Sequence, residues 1–197
     1  PSSLNYGSDA LGGTIVFNTI NPKLANEGMD KQHEGHAVVR YGSANQEGTA
    51  HFDFNYGTQK IASFTSFTFS HFGDLRAGTQ RNPFLPENDE YIQSHLYVQP
   101  HEGKNDVMLT NNNPEIQKRS GYLQYDFIQK LLYQPRHDQK HTLNFQLSNT
   151  NEFNRYDRLS VTEEKNGVLQ PKFAEWYYGP QFRLMTAYHY DGKAQLG

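Results

Sequence analysis

An all-β fold of antiparallel strands is predicted by three observations: apolar residues recur with period two, no segment is apolar enough to be a membrane helix, and the turns fall at hairpin spacing. The 197 residues are 35% hydrophobic with a mean hydropathy of −0.85, yet 14% are aromatic. No apolar run exceeds three residues, whereas a helical membrane span needs about 20. The net charge of −3 argues against a general nucleic-acid binder. The chain has no cysteine, which excludes a disulfide scaffold, a thiolate metal site and a cysteine nucleophile.

Taken in chain order, the first candidate strand is 36–41, with Ala37, Val39 and Tyr41 on one side. In 50–56, Ala50, Phe52, Phe54 and Tyr56 oppose His51, Asp53 and Asn55. The segment 60–72 is noisier: Ile61, Phe67 and Phe69 share a face with Ser63 and Thr65, opposite Ser66, Thr68 and Ser70. In 121–133, Leu123, Tyr125, Phe127, Leu131 and Tyr133 oppose Tyr122, Gln124, Asp126, Ile128 and Lys130. In 141–148, Leu143, Phe145 and Leu147 oppose Thr142, Asn144, Gln146 and Ser148, and near the end Phe182, Leu184, Tyr188 and Tyr190 oppose Arg183, Met185, Ala187 and His189. Strict alternation of this kind marks a strand with two chemically different faces.

Alternation does not say whether the apolar face meets a core or lipid. Length and connections favour lipid. Several runs approach the ~9–11 residues of a membrane-barrel strand and exceed the usual ~5–6 of a soluble one. The connections alternate: 57–60, 134–140 and 191–193 are short, 73–119 and 149–179 are long, and 42–48 is a short exception on the long-loop side. Short turns at one end and longer loops at the other are the pattern of membrane barrels. Tyr41, Tyr56, Phe72, Tyr122, Tyr133, Tyr188 and Tyr190 fall near strand ends, where an interfacial ring belt would put them.

The N-terminal string Tyr6-Gly7-Ser8-Asp9-Ala10-Leu11-Gly12-Gly13-Thr14-Ile15-Val16-Phe17 resembles the closing segment of the plug domain in TonB-dependent outer-membrane receptors. Segments 66–78, 122–130, 155–159 and 174–181 resemble the same family in its Bacteroidetes-type form, so the resemblance covers nearly the whole chain. It implies an antiparallel transmembrane β-barrel fragment of about six strands preceded by the last segment of a plug. Residues 1–19 would end the plug, with Gly7, Ser8, Asp9, Gly12 and Gly13 as its motif. Residues 20–35 would link plug to barrel, and 36–197 would form the N-terminal part of the barrel, with extracellular loops at about 73–119 and 149–179. Receptors of this kind have about 22 strands around a plugged lumen, so the chain is expected to be part of a longer protein. The implied function is active import, from the outer membrane of a Gram-negative bacterium, of a scarce nutrient. The Asp-Ala-Leu-Gly-Gly form of the motif departs from the oligosaccharide branch and points to an iron chelate (siderophore), haem or cobalamin. The implied partners are outer-membrane lipid, a TonB-type periplasmic transducer and the small-molecule ligand, with or without a surface lipoprotein capping the barrel; no cofactor is implied.

No catalytic arrangement stands out: there is no nucleophile elbow, phosphate loop or His-Glu-X-X-His, and the chain is not expected to be an enzyme. The candidate ligand-binding residues are in or beside the long loops: Arg76, Arg81, Tyr91, Tyr97, Trp176 and Tyr177. Arginine reads carboxylates and phosphates with a planar fork, and rings stack on flat ligands. For Arg155 and Arg158, the Arg-Tyr-Asp-Arg string reads first as a salt-bridge brace within the loop. The pairs His33/His36 and His137/His141 lack a helix to align them as metal ligands, and His51 and His189 read as hydrogen-bonding residues of a polar face. The competing reading is a soluble β-sandwich adhesin, in which the apolar faces of two sheets meet; a β-rich hydrolase has no support beyond polar loops.

Overall fold

The computed structural model describes residues 18–78, 84, 95–99, 107–173 and 175–193. The expected plug motif (Gly7, Ser8, Asp9, Gly12, Gly13) and the candidates Arg81 and Tyr91 lie outside these residues.

The strands, in order, are β1 (Lys31–Gly42), β2 (Glu47–Thr58), β3 (Ile61–Phe72), β4 (Leu75–Arg76), β5 (Leu96–Gln99), β6 (Val107–Thr110), β7 (Ile116–Gln117), β8 (Tyr122–Arg136), β9 (Gln139–Thr150), β10 (Phe153–Asn154), β11 (Thr162–Lys165), β12 (Val168–Pro171), β13 (Tyr177–Tyr178) and β14 (Gln181–Gly192). One short helix among the described residues, α1 (Tyr156–Leu159), lies between β10 and β11. The six long strands form one antiparallel sheet in the order β1-β2-β3-β8-β9-β14. The fold is all-β and antiparallel, and each of the six expected strands is present.

The largest differences from the sequence reading are at β1 and in the two long connections. β1 begins at Lys31, so strand precedes the 36–41 run over 31–35. The cause is pairing: Lys31, Gln32 and His33 lie opposite Thr58, Gly57 and Tyr56, and the β2 ladder extends a segment with no alternation of its own. The two long connections run 73–121 and 151–180 and contain local ribbons, β4 with β7, β5 with β6, β10 with β13 and β11 with β12. Pairing of this kind satisfies backbone groups that a structureless loop would leave to water.

The meander gives the sheet two unlike ends. The turns β2–β3 and β8–β9 and the end of β14 share one end with residues 18–30; the β1–β2 turn and both long connections share the other. It also gives two unlike faces. Register aligns Ala37, Phe52, Phe67, Phe127, Leu147 and Leu184 across all six strands of the apolar face. On the opposite face it aligns Val38, His51, Thr68, Asp126, Ser148 and Arg183.

Burial differs between the two faces. Phe67 is 43% exposed and Phe52 49%, while Asp53 retains only 7% and Lys130 only 4% of its accessible surface. The polar side chains are satisfied among themselves. His51 hydrogen-bonds with Thr68 (2.8 Å) and Asp53 (3.2 Å), Asp53 with His36 (2.9 Å), and Gln124 donates to Asp126 (3.0 Å). On the apolar face, the few polar groups are also paired: Thr65 Oγ1 donates to Gln129 Oε1 (2.7 Å), and Gln129 Nε2 donates to Ser63 Oγ (2.9 Å).

Two small apolar clusters anchor the ends. At the turn end Ala62, Phe64, Leu132 and Ala25 are buried beneath or within residues 18–30. At the loop end Val98 and Leu159 are buried, where α1 lies against β5 and β12 against β6. The two long connections thereby pack on each other, and Asn154 Nδ2 of the second donates to the Arg119 carbonyl of the first (3.2 Å), while Arg119 Nη1 donates to the Val98 carbonyl within the first (3.3 Å).

Candidate functional site

Side chains alternate between faces along a strand, so Phe72 and Tyr122, out of phase with Phe67, Phe69, Leu123 and Tyr125, belong to the polar face at the loop end. They are register partners across β3 and β8. Their rings stack with centroids 4.5 Å apart and planes 23° from parallel. Tyr122 meets Phe153 of β10 at 5.0 Å, and Phe153 meets Tyr178 of β13 at 5.9 Å. β10 and β13 are paired, with Phe153 directly opposite Tyr178, which is what brings these two rings together. The Arg155 guanidinium closes the row, its carbon 5.4 Å from the centre of the Tyr178 ring.

This row of rings lines a cleft of about 490 Å³, together with Asn45, Gln117, Ser120, Asn154, Asp157 and Ser160. That volume is in the range of small-molecule sites, which pair mostly apolar walls with a few placed polar groups. Several polar groups are already fixed. Ser120 Oγ donates to the Gln117 carbonyl (2.7 Å) and accepts from the Leu75 amide (2.9 Å), and Asn154 Nδ2 donates to the Arg119 carbonyl (3.2 Å).

Arg155 grips Asp157 in a two-point fork, Nε to Oδ1 and Nη2 to Oδ2, both 2.8 Å. The guanidinium hydrogen bond holds the Asp157 carboxyl below the ordinary carboxylate range, and the carboxylate in turn raises the arginine. Arg158 lies 3.9 Å from the same carboxylate and over the Trp176 ring at 5.4 Å. The Arg-Tyr-Asp-Arg string therefore braces its own loop, and Arg155 also borders the cleft.

Of the candidates read from the sequence, none of the described four lines this cleft. Arg76 is in β4, opposite Ile116, and exposed. Tyr97 is in β5, opposite Leu109. Trp176 packs edge-on against Phe173 at 4.8 Å. Tyr177 is exposed and opposite Asn154, so its neighbour Tyr178 supplies the cleft ring instead. The residues missed were Phe72, Tyr122 and Phe153. Phe72 and Tyr122 were expected in a ring belt; their phase relative to the apolar face was the signal that places them on the other side.

His51 takes the polar-face, hydrogen-bonding position expected of it, and His189 lines a second polar-face cleft with Lys130 and Asp191. His141 belongs to the apolar face, where its Nδ1 and the Tyr188 hydroxyl are 2.7 Å apart. No group of three or more His, Asp or Glu side chains among the described residues is placed to hold a metal ion. Comparison with known proteins finds no matching family model, no matching curated protein and no matching solved structure.

Proposed function

We propose that this chain is part of an outer-membrane β-barrel receptor that binds a scarce nutrient at the cell surface and imports it with energy from a TonB-type transducer. One observation carries the membrane part of the reading. The sheet exposes its aromatic and aliphatic face and buries Asp53, Asn55, Ser66, Ser70 and Lys130. In water this arrangement forfeits the hydrophobic free energy of every exposed ring, at about 25 cal/mol per Å². In a bilayer it is the favourable one, because barrel strands alternate apolar-out and polar-in. The strand lengths agree, β1, β2, β3, β9 and β14 each having 12 residues, as does the Ser63–Gln129–Thr65 group, since polar atoms facing lipid must be satisfied internally.

At the short-turn end, Tyr133, His141, Tyr188 and Tyr190 form a connected group of rings on the apolar face, with His141 centroids 6.0, 6.2 and 4.9 Å from the three tyrosines. Rings with an apolar body and a polar tip suit the headgroup level. Among the described residues β1 and β14 are the outermost strands of the sheet, and an open sheet edge in lipid requires further strands. The nutrient would enter from the loop end, where the cleft opens on the polar face. The motif at residues 6–17 supports an iron chelate, haem or cobalamin as ligand, with no chemical step and no cofactor.

The test is fractionation of cells producing the complete protein. The expected result is an outer-membrane band several times heavier than 22.7 kDa, whose gel migration changes on heating. Uptake of ferric chelate, haem or cobalamin is expected to be lost on deletion and restored by the intact protein. A water-soluble monomer of 22.7 kDa with no detergent requirement would overturn the reading.

A further inference from the structure

Residues 18–30 form no regular element, yet they are held on the polar face at successive points. Lys130 Nζ donates to the Thr19 carbonyl and to Asn21 Oδ1, both 3.1 Å. Asn55 pairs with the backbone of Lys23 in both directions: Lys23 N donates to Oδ1 (2.9 Å), and Nδ2 donates to the Lys23 carbonyl (3.0 Å). The Lys23 ammonium bonds Glu34 (2.7 Å), the Ala25 amide donates to the Thr58 carbonyl (3.0 Å), and Gln59 Nε2 donates to the carbonyls of Asn26 (3.1 Å) and Met29.

These attachments differ in kind on the two sides of Pro22. From Lys23 onward, the strap meets β1 and β2 and the β2–β3 turn through matched backbone and amide groups, and it passes so close that only glycine fits at position 57. Among the described residues, both hydrogen bonds that hold the segment before Pro22 come from one ammonium. Asn18, Thr19, Ile20 and Asn21 are exposed, and Lys130 reaches them from the centre of β8, where it lies opposite Phe64 and Asn144. A buried ammonium without a carboxylate must take its stabilisation from carbonyl and amide oxygens, so the bonds to Thr19 and Asn21 serve the lysine as much as the strap. Beside it is a cleft of about 330 Å³, lined by Asn21, Pro22, Lys130, Thr142 and His189 among others, into which the freed ammonium can swing.

We infer that residues 18–29 are a two-part strap: Lys130 is a releasable catch for residues 18–21, and the Asn55–Lys23 pair is the fixed anchor at which release stops. Displacement of residue 18 is transmitted as far as Asn21 and no further. The geometry is independent of whether lipid covers the opposite face, so the strap and the receptor reading fail separately.

The chain has no cysteine, so a single introduced one carries one nitroxide label. In the complete protein, in the medium in which it folds, Asn18→Cys and Glu27→Cys are each labelled and read by EPR. Both labels are expected to be restrained with Lys130 present. Lys130→Met is expected to raise the mobility of the label at 18 several-fold and leave that at 27 unchanged, whereas Asn55→Ala is expected to mobilise the label at 27. Should Lys130→Met not fold, Asn21→Ala removes one acceptor without altering the sheet, and a partial gain of mobility at 18 is expected. A label at 18 already free with Lys130 and Asn21 intact would overturn the inference. So would equal release at 18 and 27 on loss of Lys130 alone.

Discussion

Phe72 and Tyr122 lie directly opposite one another where β3 and β8 leave the sheet, with their rings stacked at 4.5 Å on the polar face. They join the sheet to the loops, because Tyr122 continues the row to Phe153 and Tyr178, and the row forms the wall of the loop-end cleft. Removing the Tyr122 ring by Tyr122→Ala is expected to separate the sheet from β10. An aromatic pair contributes about 0.5–1.5 kcal/mol beyond its buried area, so on the proposed receptor reading affinity for the ferric chelate, haem or cobalamin should fall about 10-fold, the equivalent of about 1.4 kcal/mol. Tyr125→Ala alters the same strand on the opposite face and should leave binding unchanged. Titration of the three ligands against both variants checks this.

The Arg155–Asp157 fork gives the second connection a dependence on pH. Asp157 is held below its usual value, chiefly by the Arg155 hydrogen bond. A carboxyl with a lowered folded-state pKa stabilises its loop above the unfolded value and loses that contribution as pH falls through the folded one. The brace should thus be complete at neutral pH and weaken only below the ordinary carboxylate range, while Arg155 stays charged throughout. Limited proteolysis of 151–180 as a function of pH measures it: cleavage should quicken at acidic pH in the native protein. Asp157→Asn should cleave quickly at neutral pH and show little further change on acidification. Both partners are exposed to a degree that solvent screens, so the effect is confined to the loop.

What was legible in the sequence follows from which forces act locally. The six long strands could be read because side-chain alternation is a property of the strand itself. β3 read as noisy because Ser63 and Thr65 interrupt its apolar face, and their justification, Gln129, is on another strand. Lys31–Gly35 could not be read as strand at all, since Lys, Gln, His, Glu and Gly show no pattern and only pairing with β2 extends them. The candidate site suffered most. Composition identified Arg and ring residues in the loops, but which of Tyr177 and Tyr178 faces the cleft depends on the two-residue pairing of β10 with β13. The wall contributed by Phe72 and Tyr122 was visible in principle as a change of phase at two strand ends.

Gly57 is required by the close passage of the strap. A Cβ at this position would clash with the Lys23 carbonyl oxygen and stand 3.0 Å from the Ala25 amide nitrogen. Because these are backbone atoms held by Asn55 and Thr58, they cannot yield cheaply. Gly57→Ala should displace residues 23–25 and cost about 1–3 kcal/mol, the range for overpacking. Chemical denaturation should show the loss, and proteolysis should place new cleavage within 18–30. Gly48, with open space around it, is the control: Gly48→Ala should change stability by less than about 0.5 kcal/mol.

The apolar face yields the prediction that separates a lipid-facing sheet from a water-facing one. Phe67 stands in the middle of β3 and in the middle of the row Ala37–Phe52–Phe67–Phe127–Leu147–Leu184. It is 43% exposed, so Phe67→Arg creates no packing clash, and in water the change should be close to neutral or improve solubility. In a bilayer, the same arginine would lie near the midplane of an outward face, where it costs about 2–4 kcal/mol. Thr68→Arg, one residue on, enters the polar face and carries no lipid penalty, although it forfeits the bond to His51. Folding of the complete protein into phosphatidylcholine vesicles, followed by denaturant titration, should therefore rank native above Thr68→Arg above Phe67→Arg. The reverse order, with Phe67→Arg the equal of the native protein and soluble without detergent, would place that face in water and remove the basis for a membrane sheet.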